Sequence, residues 1–196
     1  VAAQNAQAAT DDNVGGMAEN TPMKMPLPVP SLVLLLGVSG SGKSTFARRL
    51  FQPTEILSSD HCRALVCDDE NNQAVNKEAF EILHLIAAKR LAQRKLTVID
   101  ATNVQAAARQ TLLALARAQQ LPAVAIVFAF DPDLCLAQNA QRLHRVVDRE
   151  VIAQQHYDLQ QSLTTLADEG FHSVFLFTTP AEAAAATVQR KKLRLR

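Results

Sequence analysis

The sequence predicts an α/β fold, a mainly parallel sheet of about five strands flanked by helices. Three observations predict it. Apolar runs of strand length alternate with helical stripes along most of the chain. The first run, Leu32–Leu36 (LVLLL), is unbroken by polar residues, as expected of a central parallel strand covered on both faces. A glycine-rich loop follows it at once, before a helical segment. With 196 residues and 48% hydrophobic content, the chain can bury one substantial core.

Each element has its own warrant. Residues 1–21 are polar and Ala-rich without an apolar period, and are expected to be disordered. Residues 22–30 (PMKMPLPVP) hold four of the eight prolines and read as an extended linker without a strand or helix. After Leu32–Leu36 comes a helix from about Lys43 to Phe51, then a short strand, Glu55–Ser58. Residues 78–94 carry Ala79, Ile82, Leu83, Ile86 and Leu91 as a helical stripe. Leu96–Asp100 is a third strand, Val104–Gln119 an Ala/Leu-rich helix, and Ala123–Phe130 a fourth strand. Asp131-Pro132 opens a long helical stretch, with proline in the first turn where it is tolerated. That stretch runs to Glu169, with a break expected near Val146–Glu150, and Gly170 ends it. Val174–Phe177 is a fifth strand, and residues 181–190 read as helical. The expected domain limits are an Ala/Pro-rich extension over 1–30, a core over 31–189, and a basic tail over 190–196, a linker toward a further domain.

Composition excludes several classes. Cys62, Cys67 and Cys135 make neither a disulfide framework nor a zinc spacing, and fit three free thiols in a reducing cytoplasm. The five histidines are scattered and suggest no metal site. No apolar run reaches the ~18 residues of a membrane span, and no secretory signal pattern is visible. The net charge of +1 is uneven. Residues 1–30 set Asp11, Asp12 and Glu19 against Lys24, a net −2, while Arg190, Lys191, Lys192, Arg194 and Arg196 put +5 at the end. Any contact with phosphates must therefore come from a local patch.

Three of only six glycines stand at Gly37, Gly40 and Gly42. Gly37-Val38-Ser39-Gly40-Ser41-Gly42-Lys43-Ser44 fits G-x-x-x-x-G-K-[ST], between a buried strand and a helix. Such a loop turns successive backbone N–H groups toward a phosphate beside the positive end of a helix. Gly37, Ser39, Gly40, Ser41, Gly42, Lys43, Ser44 and Thr45 are the expected nucleotide contacts, with Lys43 on the β- and γ-oxygens and Ser44 on Mg²⁺. ATP and Mg²⁺ are the expected cofactors. A guanine-reading NKxD is absent: Asn76-Lys77-Glu78-Ala79 lacks the aspartate. A motor ATPase would be larger, so a small kinase is the best match.

Three further segments bear on a phosphate acceptor. Ser58-Ser59-Asp60-His61-Cys62-Arg63 follows the second strand, where ligands of open α/β sheets bind. Asp60 can accept the proton of an attacking hydroxyl, and Arg63 can grip a phosphate; capping by Asp60 and a surface Arg63 fit the spacing equally well. Asp100 ends the third strand like a carboxylate that serves Mg²⁺ through water, with Thr102 and Asn103 as weaker acceptor contacts; Asp100 and Asn103 also suit caps of the next helix. Arg142, Arg145 and Arg149 fall at i, i+3 and i+7, one face of a helical lid that could bring positive charge over the transferred phosphoryl. Asp68-Asp69-Glu70 reads as a solvated acidic turn.

Taken in series, GVSGSGKSTFA (37–47), PTEILSSDHCR (53–63), LVCDDENNQ (65–73), KLTVIDATNV (95–104) and the EVI…L…L…EGF pattern (150–171) resemble the kinase domain of bacterial polynucleotide kinase-phosphatase, an RNA end-healing family. The resemblance covers about residues 24–196 and implies a P-loop kinase-like fold. It implies transfer of the ATP γ-phosphate to a 5′-hydroxyl end of RNA or DNA. It implies Lys43 and Ser44 on phosphate and Mg²⁺, Asp60 as general base, and Arg63 on the phosphate beside the terminal nucleoside. The family's lid carries two arginines four residues apart. Arg142 matches the second; the first position is Gln138, so either Arg145 substitutes or the lid is weaker. The family continues into phosphatase and ligase-like domains, neither of which is in this sequence, and works beside an RNA 3′-terminal methyltransferase. The alternatives are a small-molecule kinase of the gluconate or shikimate type and a non-catalytic ATP-binding module.

Overall fold

Six consecutive buried residues, Leu32–Gly37, form the middle strand of a five-stranded sheet in a computed structural model that describes residues 22–142 and 146–193. Residues 1–21 and 194–196 lie outside the described residues, as does Arg145.

The elements, in chain order, are β1 (Lys24–Val29), β2 (Leu32–Gly37), α1 (Lys43–Leu50), β3 (Ile56–Ser58), α2 (Ser59–Cys67), α3 (Asn76–Ala92), β4 (Thr97–Asp100), α4 (Ala106–Ala118), β5 (Ala123–Phe128), α5 (Pro132–Ala140), α6 (Arg149–Thr165), β6 (Ser173–Phe177), α7 (Pro180–Ala185) and β7 (Thr187–Lys192). The main sheet runs β3-β4-β2-β5-β6, parallel throughout. The expected α/β architecture is therefore present, and the LVLLL run is central because β4 and β5 flank it on both sides. The chain leaves β2 for β3 on one side and later returns to β5 on the other. This makes a crevice at the carboxyl end of β2. In register, Ser58 lies beside Asp100 and Leu35 beside Asp100, so the segments after β2, β3 and β4 open onto one edge.

Aromatic packing fixes α1 on that sheet. Phe46 meets Phe128 edge to face at 5.0 Å, and Phe128 also contacts Phe177 and Phe130. On another helix, Arg109 is completely buried and pairs with Glu169, with Nε to Oε2 at 2.8 Å and NH2 on Oε1.

The structure corrects the reading of both ends of the core. Residues 24–29, expected as a linker without a strand, form β1, and residues 187–192, expected as the end of a helix and the start of a basic tail, form β7. The two pair in parallel, from Lys24↔Thr187 to Val29↔Lys192. The prolines do not prevent this. Thr187 N donates to Met23 O and Leu193 N to Val29 O, so the odd-numbered residues face β7. Pro26 and Pro28 fall on the alternate positions, where a missing N–H breaks no rung. Met25 and Leu27 are fully buried. Arg190 holds both oxygens of Glu55 at 2.7 Å, and Arg49 donates to the Ala183 and Ala186 carbonyls. The break expected near Val146–Glu150 in the helical stretch from Asp131 comes earlier in the chain: α5 stops at Ala140 and α6 begins at Arg149. Among the described residues no helix is long and apolar enough to cross a membrane.

Candidate active site

The loop between β2 and α1 is a closed turn that demands its glycines. A Cβ on Gly40 would lie 2.2 Å from the Cys135 carbonyl oxygen, so this residue lets the loop press against α5. Gly42 leads into α1 at φ 80, where an L side chain is strained although space is open. Lys43 is the first residue of α1 and is 7% exposed. Its Nζ donates to Gly37 O and Val38 O at 2.8 Å and to Ser41 Oγ at 3.3 Å. The ammonium thus lies across the loop it is expected to serve. Ser44 and Thr45 follow on the wall of a cavity of about 830 Å³.

Asp60 lies in the first turn of α2 and lines this cavity together with Ser44, Asp100 and Arg142. Ser58, not Asp60, caps the helix: its Oγ accepts from His61 N at 3.4 Å. Asp60 instead pairs with Arg63 one turn on. Arg63 is 3% exposed, and all three of its guanidinium nitrogens are engaged, with Nε on Glu70 O at 2.7 Å, NH1 on Asn76 Oδ1 at 2.8 Å and NH2 on Asp60. A surface Arg63 is thereby corrected. Its fork is not free but holds the Asp60 carboxylate, although the residue does line a second, smaller cavity of about 150 Å³. Burial lowers the Arg63 pKa from its ordinary value, opposed by the nearby charge of Glu70.

Asp100 is buried at the end of β4 and lines both cavities. It does not cap α4, whose N-cap is Gln105. Thr102 lines the smaller cavity, and its carbonyl accepts from Gly37 N at 3.0 Å. Asn103 departs from expectation as an acceptor contact. It is buried, lines neither cavity, and gives Nδ2 to Leu35 O at 2.8 Å, while its own carbonyl accepts from Arg109 NH1 at 2.7 Å. It ties the end of β4 to β2. Ser44 and Asp100, a hydroxyl and a carboxylate on one wall, are hard oxygen donors suited to Mg²⁺, which takes the rest of its shell from water and phosphate.

The arginine stripe is not on one helix. Arg142 lies just beyond α5, with its N–H on Asn139 O at 3.2 Å, and Arg149 opens α6. Arg142 lines both cavities; Arg149 lines neither, Gln138 sits within α5, and Arg145 lies outside the described residues. The connection is anchored by Asn139, which takes Val147 N at 3.1 Å and gives Nδ2 to Val147 O at 2.7 Å.

Several residues escaped sequence reasoning. Gln155 of α6 accepts the Ser39 N–H at 2.8 Å, across 116 positions of sequence, and lines the smaller cavity. Arg48 and His61 line the larger one, as does Glu70 of the acidic turn. Arg48 had a local signal, one helical turn after Ser44; Gln155 had none. Cys62 and Cys135 are buried, which raises their thiol pKa values and keeps them protonated packing groups.

This site can be set beside known proteins. Residues 32–166 match the AAA domain family. The chain belongs to the AAA domain family. No curated protein matches it. Among solved structures, this AAA domain is similar to a chain of the Pnkp1/Rnl/Hen1 RNA repair complex (TM-score 0.60, 22% identity), over 71% of the present chain and 47% of that one. It is similar to Kti12 of Chaetomium thermophilum bound to ADP-AlF3 (TM-score 0.53, 18% identity, 78% and 93% covered). A gluconokinase of Sinorhizobium meliloti 1021 is also similar (TM-score 0.52, 16% identity, 81% and 87% covered). The chain spans less than half the length of the repair-complex chain. What these similarities share is the α/β fold of P-loop kinases.

Proposed function

We propose that this AAA domain transfers the γ-phosphate of ATP to the 5′-hydroxyl end of RNA or DNA. The observation that carries the reading is the position of Asp60. It lines both cavities; Lys43 and Ser44 of the phosphate loop line the smaller one with it, and His61 and Arg48 line the larger. In this reading the acceptor oxygen attacks the γ-phosphorus, its proton passes to the Asp60 carboxylate, and the bond to the β,γ-bridging oxygen breaks to release ADP. Arg63 holds Asp60 in place, Lys43 and Arg142 face the phosphates, and Thr102 contributes to the acceptor side. Mg²⁺ held near Ser44 and Asp100 would neutralise charge on the β- and γ-oxygens. The larger cavity, with Arg48 and His61 on its wall, supports an acceptor that continues as a phosphodiester strand.

The second reading is a small-molecule kinase. It is favoured by the similarity to a gluconokinase over most of that enzyme's length. Incubation with γ-labelled ATP, Mg²⁺ and a 5′-hydroxyl oligonucleotide is expected to label the oligonucleotide end; transfer only to small polyols would favour the second reading. Asp60→Asn is expected to lower transfer by ~10²–10⁴-fold while leaving ATP affinity near wild type. Retained ATP binding with no transfer to any acceptor would identify a binding module. The three free thiols fit a cytoplasmic setting, and the family resemblance further suggests phosphatase and ligase-like domains in the same polypeptide and an RNA methyltransferase as partner.

A further inference from the structure

The Ser39–Gln155 hydrogen bond fixes more than the position of a helix. Ser39 N is a donor, so the oxygen of the Gln155 carboxamide must face it, and the orientation of the amide follows from chemistry. Its Nε2 is then the end turned away from Ser39 N, and it makes no hydrogen bond among the described residues. Gln155 lines the smaller cavity, whose wall also carries Lys43, Ser44, Asp60, Asp100 and Arg142. One end of that set belongs to the nucleotide and the other to the acceptor. A phosphoryl group in transit must pass between them. The position is held by packing: Ile152 and Leu159, three before and four after Gln155, are both buried, so the same helix face that anchors α6 delivers the amide.

We propose that Gln155 binds the γ-phosphate of ATP, its Oε1 held by the Ser39 N–H and its Nε2 donating to a γ-oxygen. This supplies a neutral donor on the wall of the cavity that Lys43 and Arg142 also line. It rests on the ATP-dependent phosphotransfer reading, but not on the nature of the acceptor.

The test therefore omits the acceptor. ATP and ADP affinities are measured by calorimetry with Mg²⁺ on the full chain, for wild type, Gln155→Ala and Gln155→Glu. Glu keeps an oxygen for Ser39 N–H and replaces the donor with an anion, so it separates loop support from phosphate contact. Both variants are expected to lose ATP affinity by about ten- to a hundredfold. Glu is expected to lose more than Ala, and ADP affinity is expected to stay within about twofold. Equal losses for ATP and ADP would reduce Gln155 to a support of the loop and overturn the proposal, as would unchanged ATP affinity in Gln155→Glu. A wild-type chain that binds neither nucleotide overturns this proposal and the kinase reading together. Failure of oligonucleotide transfer with intact ATP selectivity overturns only the acceptor assignment.

Discussion

Arg109 is the largest fully buried charged side chain, and three of its contacts neutralise it: two oxygens of Glu169 and the Asn103 carbonyl. Removing one member of such a pair strands a charge in the core, which typically costs ~3–5 kcal/mol. Arg109→Ala and Glu169→Ala are each expected to lower stability by that amount in urea unfolding. Arg109→Met with Glu169→Leu is expected to cost less than either, because no charge is left behind. Nothing near Arg109 in the sequence marks it. It stands in an Ala-rich helix where an arginine is normally solvated, and its partner is 60 positions away. The positions of Lys43, Ser44 and Asp60 on the cavity walls were legible for the opposite reason. They depend on neighbours within a few residues and on the strand each segment follows. Asn103 shows the limit of that logic: it stands beside the legible Asp100, yet its amide is used inside the fold.

Elements were legible where burial acts on both faces. The buried runs of β2, β4 and β5 could be read directly, because a central parallel strand admits few polar residues. β1 and β7 were not, since proline and lysine mask a pair whose bonding depends on a register set elsewhere in the fold. Their attachment has a measurable acid dependence. Burial alone would raise the pKa of Glu55, but hydrogen bonds from Arg190 and from Gln52 N–H outweigh it, and the net shift is downward from 4.5. A depressed carboxylate stabilises the fold above its unfolded pKa and loses that contribution as pH falls through the folded value. Wild type is therefore expected to exceed Glu55→Gln by ~0.5–1 kcal/mol at neutral pH, a modest figure because Arg190 is partly exposed. The two should converge below pH 4.5 in thermal melts across pH. A gap that persists in acid would point to a contribution other than ionisation.

For the whole molecule, the correction at the ends changes what can be cut away. A chain ending at Ala186 lacks β7 and leaves β1 unpaired, so β1, with the fully buried Met25 and Leu27, is expected to detach. At ~1.5–3 kcal/mol for each large apolar side chain, the expected loss is about 3–6 kcal/mol. A chain ending at Leu193 keeps every rung of the pair and is expected to unfold at the wild-type urea concentration. Equal midpoints for the two truncations would show that β7 contributes nothing to the core. The basic segment also divides: Arg190 is occupied by Glu55, whereas Lys191 and Lys192 stay exposed.

The β1–β7 pair has a kinetic side as well. Lys24 waits for Thr187, so this sheet closes a loop of more than 160 residues, whereas β3 and β4 meet within about 40. Closing so long a loop from an unfolded chain costs more entropy than closing a short one, and non-local parallel pairing is intrinsically slow. Once β2 to β6 have assembled, the two ends are already neighbours and that cost has largely been met. The small sheet is therefore expected to be the last part of the fold to zip and the first to fray. Amide hydrogens of Val188 to Lys192 should exchange with solvent well ahead of those in β2 and β5, through an opening that leaves the phosphate loop intact.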